Sequence, residues 1–235
     1  MEYILETKNL SKKFKSQYAV KDVNLSIRKN KIFGLLGPNG AGKSTTLKML
    51  CGLLKPSRGE IYFNNSLWTR ENLKDIGALI EGPAVYPNLN AKDNLLLACT
   101  LYDLPKSRAD EVLEIIDLKE AGKKKVKNFS LGMKQRLGLG MAIIHRPKLL
   151  ILDEPTNGLD PIGINELRSL IKSFPDKGMT VILSSHILSE VEQIADEIAI
   201  IYKGEIDYIG AIKETENLEQ KFIEVIEKNG GGHNA

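Results

Sequence analysis

The stretch that most constrains this chain runs from Lys31 to Leu50. Lys31-Ile32-Phe33-Gly34-Leu35-Leu36 has the texture of a buried strand, and Thr46-Leu47-Lys48-Met49-Leu50 is compatible with a helix. Between them lies Gly37-Pro38-Asn39-Gly40-Ala41-Gly42-Lys43-Ser44-Thr45. This fits G-x-x-x-x-G-K-[ST] in the strand–loop–helix setting that the pattern requires. Its glycines let successive backbone N–H groups turn inward around a phosphate chain, and the N-terminus of the following helix adds partial positive charge. Lys43 is placed to reach β- and γ-phosphates, the Ser44 hydroxyl to ligate Mg²⁺, and Thr45 to support the cradle. The stretch predicts nucleoside triphosphate binding and leaves open what hydrolysis drives.

With 235 residues there is room for one large α/β core and a subdomain. A net charge of +3 is too small to argue for nucleic acid. No apolar stretch is long enough to span a bilayer. Met1-Glu2-Tyr3-Ile4-Leu5-Glu6 carries acids where a signal peptide needs bases, so the chain is expected in the cytoplasm. Cys51 and Cys99 match no metal-ligand spacing, and Cys51 reads as a small core residue rather than half of a disulfide.

Residues 3 to 28 alternate in short stretches, such as Lys21-Asp22-Val23-Asn24-Leu25-Ser26-Ile27, and predict an antiparallel sheet with one buried face. Phe14, in the polar segment Lys12-Lys13-Phe14-Lys15-Ser16, is expected in a loop where its ring can stack on adenine; Tyr18 competes for that role. Strand signals follow at Ile61-Tyr62-Phe63 and at Ile76-Gly77-Ala78-Leu79-Ile80. From about Ala91 to Met141 the apolar spacing is helical, broken by Pro105 and Gly122, and predicts an inserted helical subdomain. Lys123-Lys124-Lys125 reads as a solvated turn, with anionic lipid as the other reading. Two apolar runs, Leu149–Leu152 and Thr180–Leu183, are each followed by a helical pattern, which argues for a parallel βαβ sheet. A hairpin is expected in 197–210, turning at Lys203-Gly204, and the tail Gly230-Gly231-Gly232 is expected to be disordered.

Leu149–Leu152 ends in Asp153-Glu154, putting two carboxylates at the C-terminal end of a central strand, where open α/β sheets bind ligands. Asp153 is placed to hold Mg²⁺, and Glu154 to polarise the water that attacks the γ-phosphate. His186 follows the second apolar run and is expected to contact the γ-phosphate. His145 has no such company and reads as structural.

Taken together, these residues resemble the ATP-binding subunits of ABC transporters over essentially the whole length. The resemblance is carried by Gly37 to Thr45 (Walker A), Leu149 to Glu154 (Walker B), Asn157-Gly158-Leu159-Asp160 (D-loop), His186 (switch histidine) and Phe14 (adenine-stacking aromatic). Phe129-Ser130-Leu131-Gly132-Met133-Lys134-Gln135-Arg136 stands in the place of the signature. The resemblance implies a P-loop NTPase with a RecA-like parallel sheet core, an N-terminal antiparallel β subdomain and an inserted α-helical subdomain. The implied boundaries are 1–81 and 143–213 for the core with its β subdomain, 82–142 for the helical part, and 214–235 for a C-terminal helix and tail.

It also implies a mechanism. Two copies face head to tail and sandwich two ATP molecules with Mg²⁺, each between one copy's phosphate loop and the other's Ser130, Leu131, Gly132 and Met133. The pair sits on integral membrane permease subunits at the cytoplasmic face of the membrane, with no nucleic acid involved. Two departures stand out. Leu131 and Met133 replace a glycine and a glutamine of L-S-G-G-Q, and Glu81 replaces the Q-loop glutamine, offering Mg²⁺ a full negative charge. Both look like the branch associated with bacitracin resistance and lantibiotic self-immunity, which exports peptide antibiotics. The competing reading is a soluble ABC-type ATPase acting on nucleic acid or ribosomes. A P-loop GTPase is disfavoured because no N-K-x-D segment is present.

Overall fold

The computed structural model describes residues 2–215 and 217–230. The chain starts as an antiparallel layer: β1 (Tyr3–Phe14) pairs with β2 (Gln17–Val23) and with β3 (Ser26–Arg28). A fully buried strand, β4 (Ile32–Leu36), then enters a second sheet and leads through the glycine loop into α1 (Lys43–Leu50). The chain returns to the first layer as β5 (Arg58–Phe63), antiparallel to β1, and β6 (Ser66–Leu67). Phe14 closes β1 instead of lying in a loop. The turn comes one residue later, where Lys15 takes a positive φ of 53°.

β7 (Ile76–Leu79) leads into three helices, α2 (Ala91–Leu101), α3 (Ser107–Ile115) and α4 (Leu131–Ile143). Asn90 caps α2 by accepting from the Asp93 N–H at 2.8 Å. Pro105 precedes α3, where its missing N–H costs nothing, and Gly122 turns the chain with a positive φ of 53°. The buried Arg108 guanidinium closes the far end of α4 by donating to the Ile143 and Ile144 carbonyls at 3.1 and 2.8 Å.

The chain then alternates strand and helix: β8 (Leu149–Asp153), α5 (Pro161–Lys172), β9 (Thr180–Ser185), the single-turn α6 (Leu188–Glu192) and β10 (Glu197–Tyr202). β11 (Glu205–Ala211) forms a hairpin with β10 around Lys203-Gly204, and α7 (Leu218–Gly230) ends the described chain. The second sheet has the order β11-β10-β4-β9-β8-β7, parallel throughout except for the hairpin. β4, β8 and β9 are buried along their whole length, because both faces of the sheet are covered.

The period-two alternation of those strands divides two cores. Phe33, Leu35, Leu149, Ile151 and Ile182 face the antiparallel layer and α1. Ile32, Leu36, Leu150, Leu152, Val181 and Leu183 face the helices. Cys51 and Cys99 are free and buried. His145 is structural: it stacks on Tyr102 at 4.4 Å, its Nε2 lies 3.2 Å from the Ile76 carbonyl, and burial holds its pKa below the ordinary imidazole range. α7 carries the first of the three tail glycines; the expectation of disorder for 231–235 falls outside the described residues. No helix among the described residues is long and apolar enough to cross a membrane.

Candidate nucleotide site

Three parallel strands, β4, β9 and β8, lie side by side and deliver their C-terminal ends to one place. From β4 comes the glycine loop. Gly40 and Gly42 have φ of 78° and 109°, which side chains rarely adopt. A Cβ at Gly37 would lie 2.3 Å from the Ile201 carbonyl, so only glycine lets the loop lie against β10. α1 starts at Lys43 behind Gly42 with no side-chain cap, which leaves its N-terminal N–H groups for an anion. Asn39, Gly40, Ala41, Gly42, Lys43, Ser44 and Thr45 line a cavity of about 180 Å³ together with Ala19 and Glu154. A second cavity of about 540 Å³ adjoins it, sharing Ala19 and Gly40 and lined by Phe14 and Tyr18. The pair has the layout of a phosphate cradle beside a base site. Both rings are about half exposed, so the structure brings both adenine-stacking candidates to the same wall.

Lys43 is buried, and its Nζ donates to the Gly37 and Pro38 carbonyls at 2.7 and 3.2 Å. The same Nζ lies 3.2 Å from Oε1 of Glu154, whose Oε2 is 2.5 Å from Nδ1 of His186. The three residues from three strand ends thus form one hydrogen-bonded row. Glu154 takes a positive φ of 48°, which aims its carboxylate back at Lys43. Ser184, at the end of β9, fixes that turn: its Oγ donates to Asp153 at 2.6 Å and accepts from the Glu154 N–H at 3.0 Å. The donor set suits Mg²⁺. The Ser44 hydroxyl and the buried Asp153 carboxylate are hard oxygen ligands beside a phosphate cradle, and Mg²⁺ takes few protein ligands alongside phosphate oxygens and waters.

Glu81 is not among the residues that line the phosphate cavity, and its mostly exposed carboxylate pairs with Lys48 of α1. It has a positive φ of 59°, which turns it out of the line of β7.

Ser130, Leu131, Gly132 and Met133 do not line the phosphate cavity of their own chain. Ser130 is the N-cap of α4, accepting from the Met133 N–H at 3.2 Å, and both Ser130 and Leu131 are exposed. Leu131 lies over the D-loop, where a Cβ on Gly158 would come within 3.1 Å of it. Asp160 caps α5 by accepting from the Gly163 N–H at 2.8 Å.

Four polar residues that sequence reasoning passed over hold the loops in place. They are Ser184 and Ser185 at the end of β9, Gln135 on α4, whose amide donates to the Pro155 carbonyl at 3.0 Å, and Glu190 on α6, which accepts from the Thr156 hydroxyl at 2.5 Å. A signal for the two serines is present: small hydroxyls end an otherwise apolar strand beside a histidine. Gln135 lies in the stretch that stands in the place of the signature, but nothing local points to its partner, and Glu190 sits in an ordinary helical pattern.

Comparison with known proteins gives the family. The ABC transporter family model matches residues 20–157, more than half of the chain. The lantibiotic transport ATP-binding protein SrtF of Streptococcus pyogenes is 48% identical over 219 residues, covering 93% of this chain and 96% of SrtF. The bacitracin transport ATP-binding protein BcrA of Bacillus licheniformis is 48% identical over 214 residues, covering 88% of this chain and 69% of BcrA. Among solved structures, the ATP-binding cassette MJ0796, in a dimeric post-hydrolysis state bound to ADP and Pi, superposes with a TM-score of 0.81 at 27% identity, over 90% of this chain and all of that one. The chain belongs to the ABC transporter family, as an ATP-binding subunit related to the lantibiotic and bacitracin transport ATPases.

Proposed function

We propose that this chain is the ATP-hydrolysing motor of a peptide-antibiotic exporter, acting as a pair of identical subunits beneath membrane permease subunits at the cytoplasmic face. The observation that carries this reading is the separation of the site into two parts. The phosphate cradle, Lys43, Asp153, Glu154 and His186 are assembled in one place, while Ser130 and Leu131, which open the signature stretch, stand exposed on another. A second copy facing head to tail brings its signature over the first copy's phosphates. Its Ser130 hydroxyl and the N–H groups at the start of α4 then meet the γ-phosphate. The dimeric state of the MJ0796 cassette with ADP and Pi supports the pairing of two copies.

Within one site the steps follow from the row of polar groups. The base packs against Phe14 or Tyr18, and Lys43 turns from the Gly37 and Pro38 carbonyls toward the β- and γ-phosphates. Losing Lys43 as a partner leaves Glu154 free to accept a proton from the attacking water, while His186 keeps the carboxylate oriented. Ser44 and Asp153 would hold Mg²⁺, which would supply positive charge beside the transferred phosphoryl group.

A groove supports the permease partner. A concavity of about 710 Å³ between the core and the helices is walled by the exposed Leu53, Tyr86, Leu97 and Leu101. An apolar patch of that kind marks a protein contact. The cargo class rests on the relatives whose printed names are lantibiotic and bacitracin transport. The test is expression in a sensitive bacterium together with the permease that co-purifies from its membranes. Tolerance to a lantibiotic or to bacitracin should rise and should be lost with Glu154→Gln. Unchanged tolerance despite an active ATPase would overturn the cargo, and failure to recover any polytopic partner would overturn the coupling.

A further inference from the structure

Glu190 is a carboxylate with 6% of its surface exposed, buried without an ion-pair partner among the described residues. Such burial is costly unless hydrogen bonds answer it. Its Oε2 accepts from the Thr156 hydroxyl at 2.5 Å and lies 3.5 Å from the Ser185 hydroxyl. Thr156 is two residues beyond Glu154, and Ser185 immediately precedes His186. Ser185 in turn accepts from the Ile187 N–H at 3.0 Å, so both flanks of His186 are held by the hydroxyl that faces Glu190. One buried oxygen therefore meets the loop that carries Glu154 and the loop that carries His186, behind their own 2.5 Å contact.

We infer that Glu190 is a positioning residue for hydrolysis: it holds the Thr156 and Ser185 loops in register, so that Glu154 and His186 meet in the geometry that orients the attacking water. This rests on the reading of Glu154 and His186 given above. Glu190 touches neither the phosphate cavity nor its lining, so its loss should leave nucleotide binding alone and act on turnover.

The test is steady-state ATP hydrolysis by the full chain, with nucleotide binding and thermal melting measured on the same preparations. Glu190→Ala is expected to lower kcat roughly 10- to 100-fold, the cost of a small misplacement of reacting groups. KM for ATP should stay within about twofold. Glu190→Gln keeps an oxygen for the Thr156 hydroxyl and should recover most of the rate. Thr156→Val, which removes that donor at nearly constant volume, should reproduce the Glu190→Ala loss and decides the matter if Glu190→Ala does not fold. The decisive comparison is in a His186→Ala background. There the Glu190 substitution should cost little more, because the contact it serves is already gone. A full additional loss in that background, or near-wild-type kcat in Thr156→Val, would overturn the inference. Glu154→Gln, run in parallel, separates this from a failure of the site reading: if that variant still turns over, the assignment of Glu154 is wrong and not the role of Glu190.

Discussion

The phosphate side of the site and the signature side are built in opposite ways. Lys43 and Asp153 are buried, and Lys43, Glu154, His186 and Ser184 already satisfy one another by hydrogen bonds. Ser130 and Leu131 are exposed, and the Ser130 hydroxyl serves only its own helix. One side is finished within the chain, and the other presents an exposed helix N-cap whose hydroxyl, among the described residues, meets only its own helix. On the function proposed above, the difference marks ATP as a joint: the finished side would hold the nucleotide first, and the open side would gain a partner only when a second subunit arrives. The polar row also shows what must be displaced, since Lys43 is now committed to two carbonyls and a carboxylate.

The sharpest way to break that contrast is Glu154→Gln. The amide keeps shape and loses the proton acceptor, so turnover should fall about 10²–10⁴-fold while ATP still binds. The variant should then collect as an ATP-bound dimer in size-exclusion chromatography; near-wild-type hydrolysis would remove Glu154 from the role. Next comes the pair Lys43→Ala and Ser130→Arg. Removing the cation that faces the phosphates costs about 1.5–3 kcal/mol of charge-assisted hydrogen bonding, a loss of roughly 10- to 150-fold in affinity for ATP. Ser130→Arg should leave ATP affinity of the monomer intact and abolish ATP-dependent dimerisation, which nucleotide titration and light scattering read separately. If Ser130→Arg abolished nucleotide binding by the monomer, the two sides would not be separate.

The smallest effect concerns His145, at the other end of the helical part. Burial holds its pKa below the ordinary range, so the folded state resists protonation while the unfolded chain takes up a proton as pH falls through about 6.5. The neutral ring's contribution is complete above that pH and is lost as pH falls toward the folded-state value. His145→Phe keeps the stack on Tyr102 and should flatten the fall in melting temperature between pH 7 and 5; an unchanged slope would show that other groups set it.

Glu81 shows why reading by position has a limit. Its place after β7 is legible, but its partner is not, because a positive φ at one residue redirects the carboxylate to Lys48. Glu81→Gln therefore tests the tie between α1 and the segment leading to the helices. At Phe14 polar neighbours suggested a loop, and pairing of Phe14 with Gln17 across a two-residue turn makes it a strand end.

What the sequence alone determined is the run of local patterns. The glycine loop between an apolar strand and a helix, the apolar strand that ends in two acids, and the helical spacing of 91–141 follow from periodicity and residue type, which neighbours in the chain decide. Tertiary structure decided which distant groups meet. Lys43, Glu154 and His186 join because β4, β9 and β8 are adjacent in the sheet, and Glu190 reaches Thr156 and Ser185 because α6 packs behind those strand ends. Strand order and helix packing depend on burying the two apolar faces of the sheet together, and no window of the sequence contains that information.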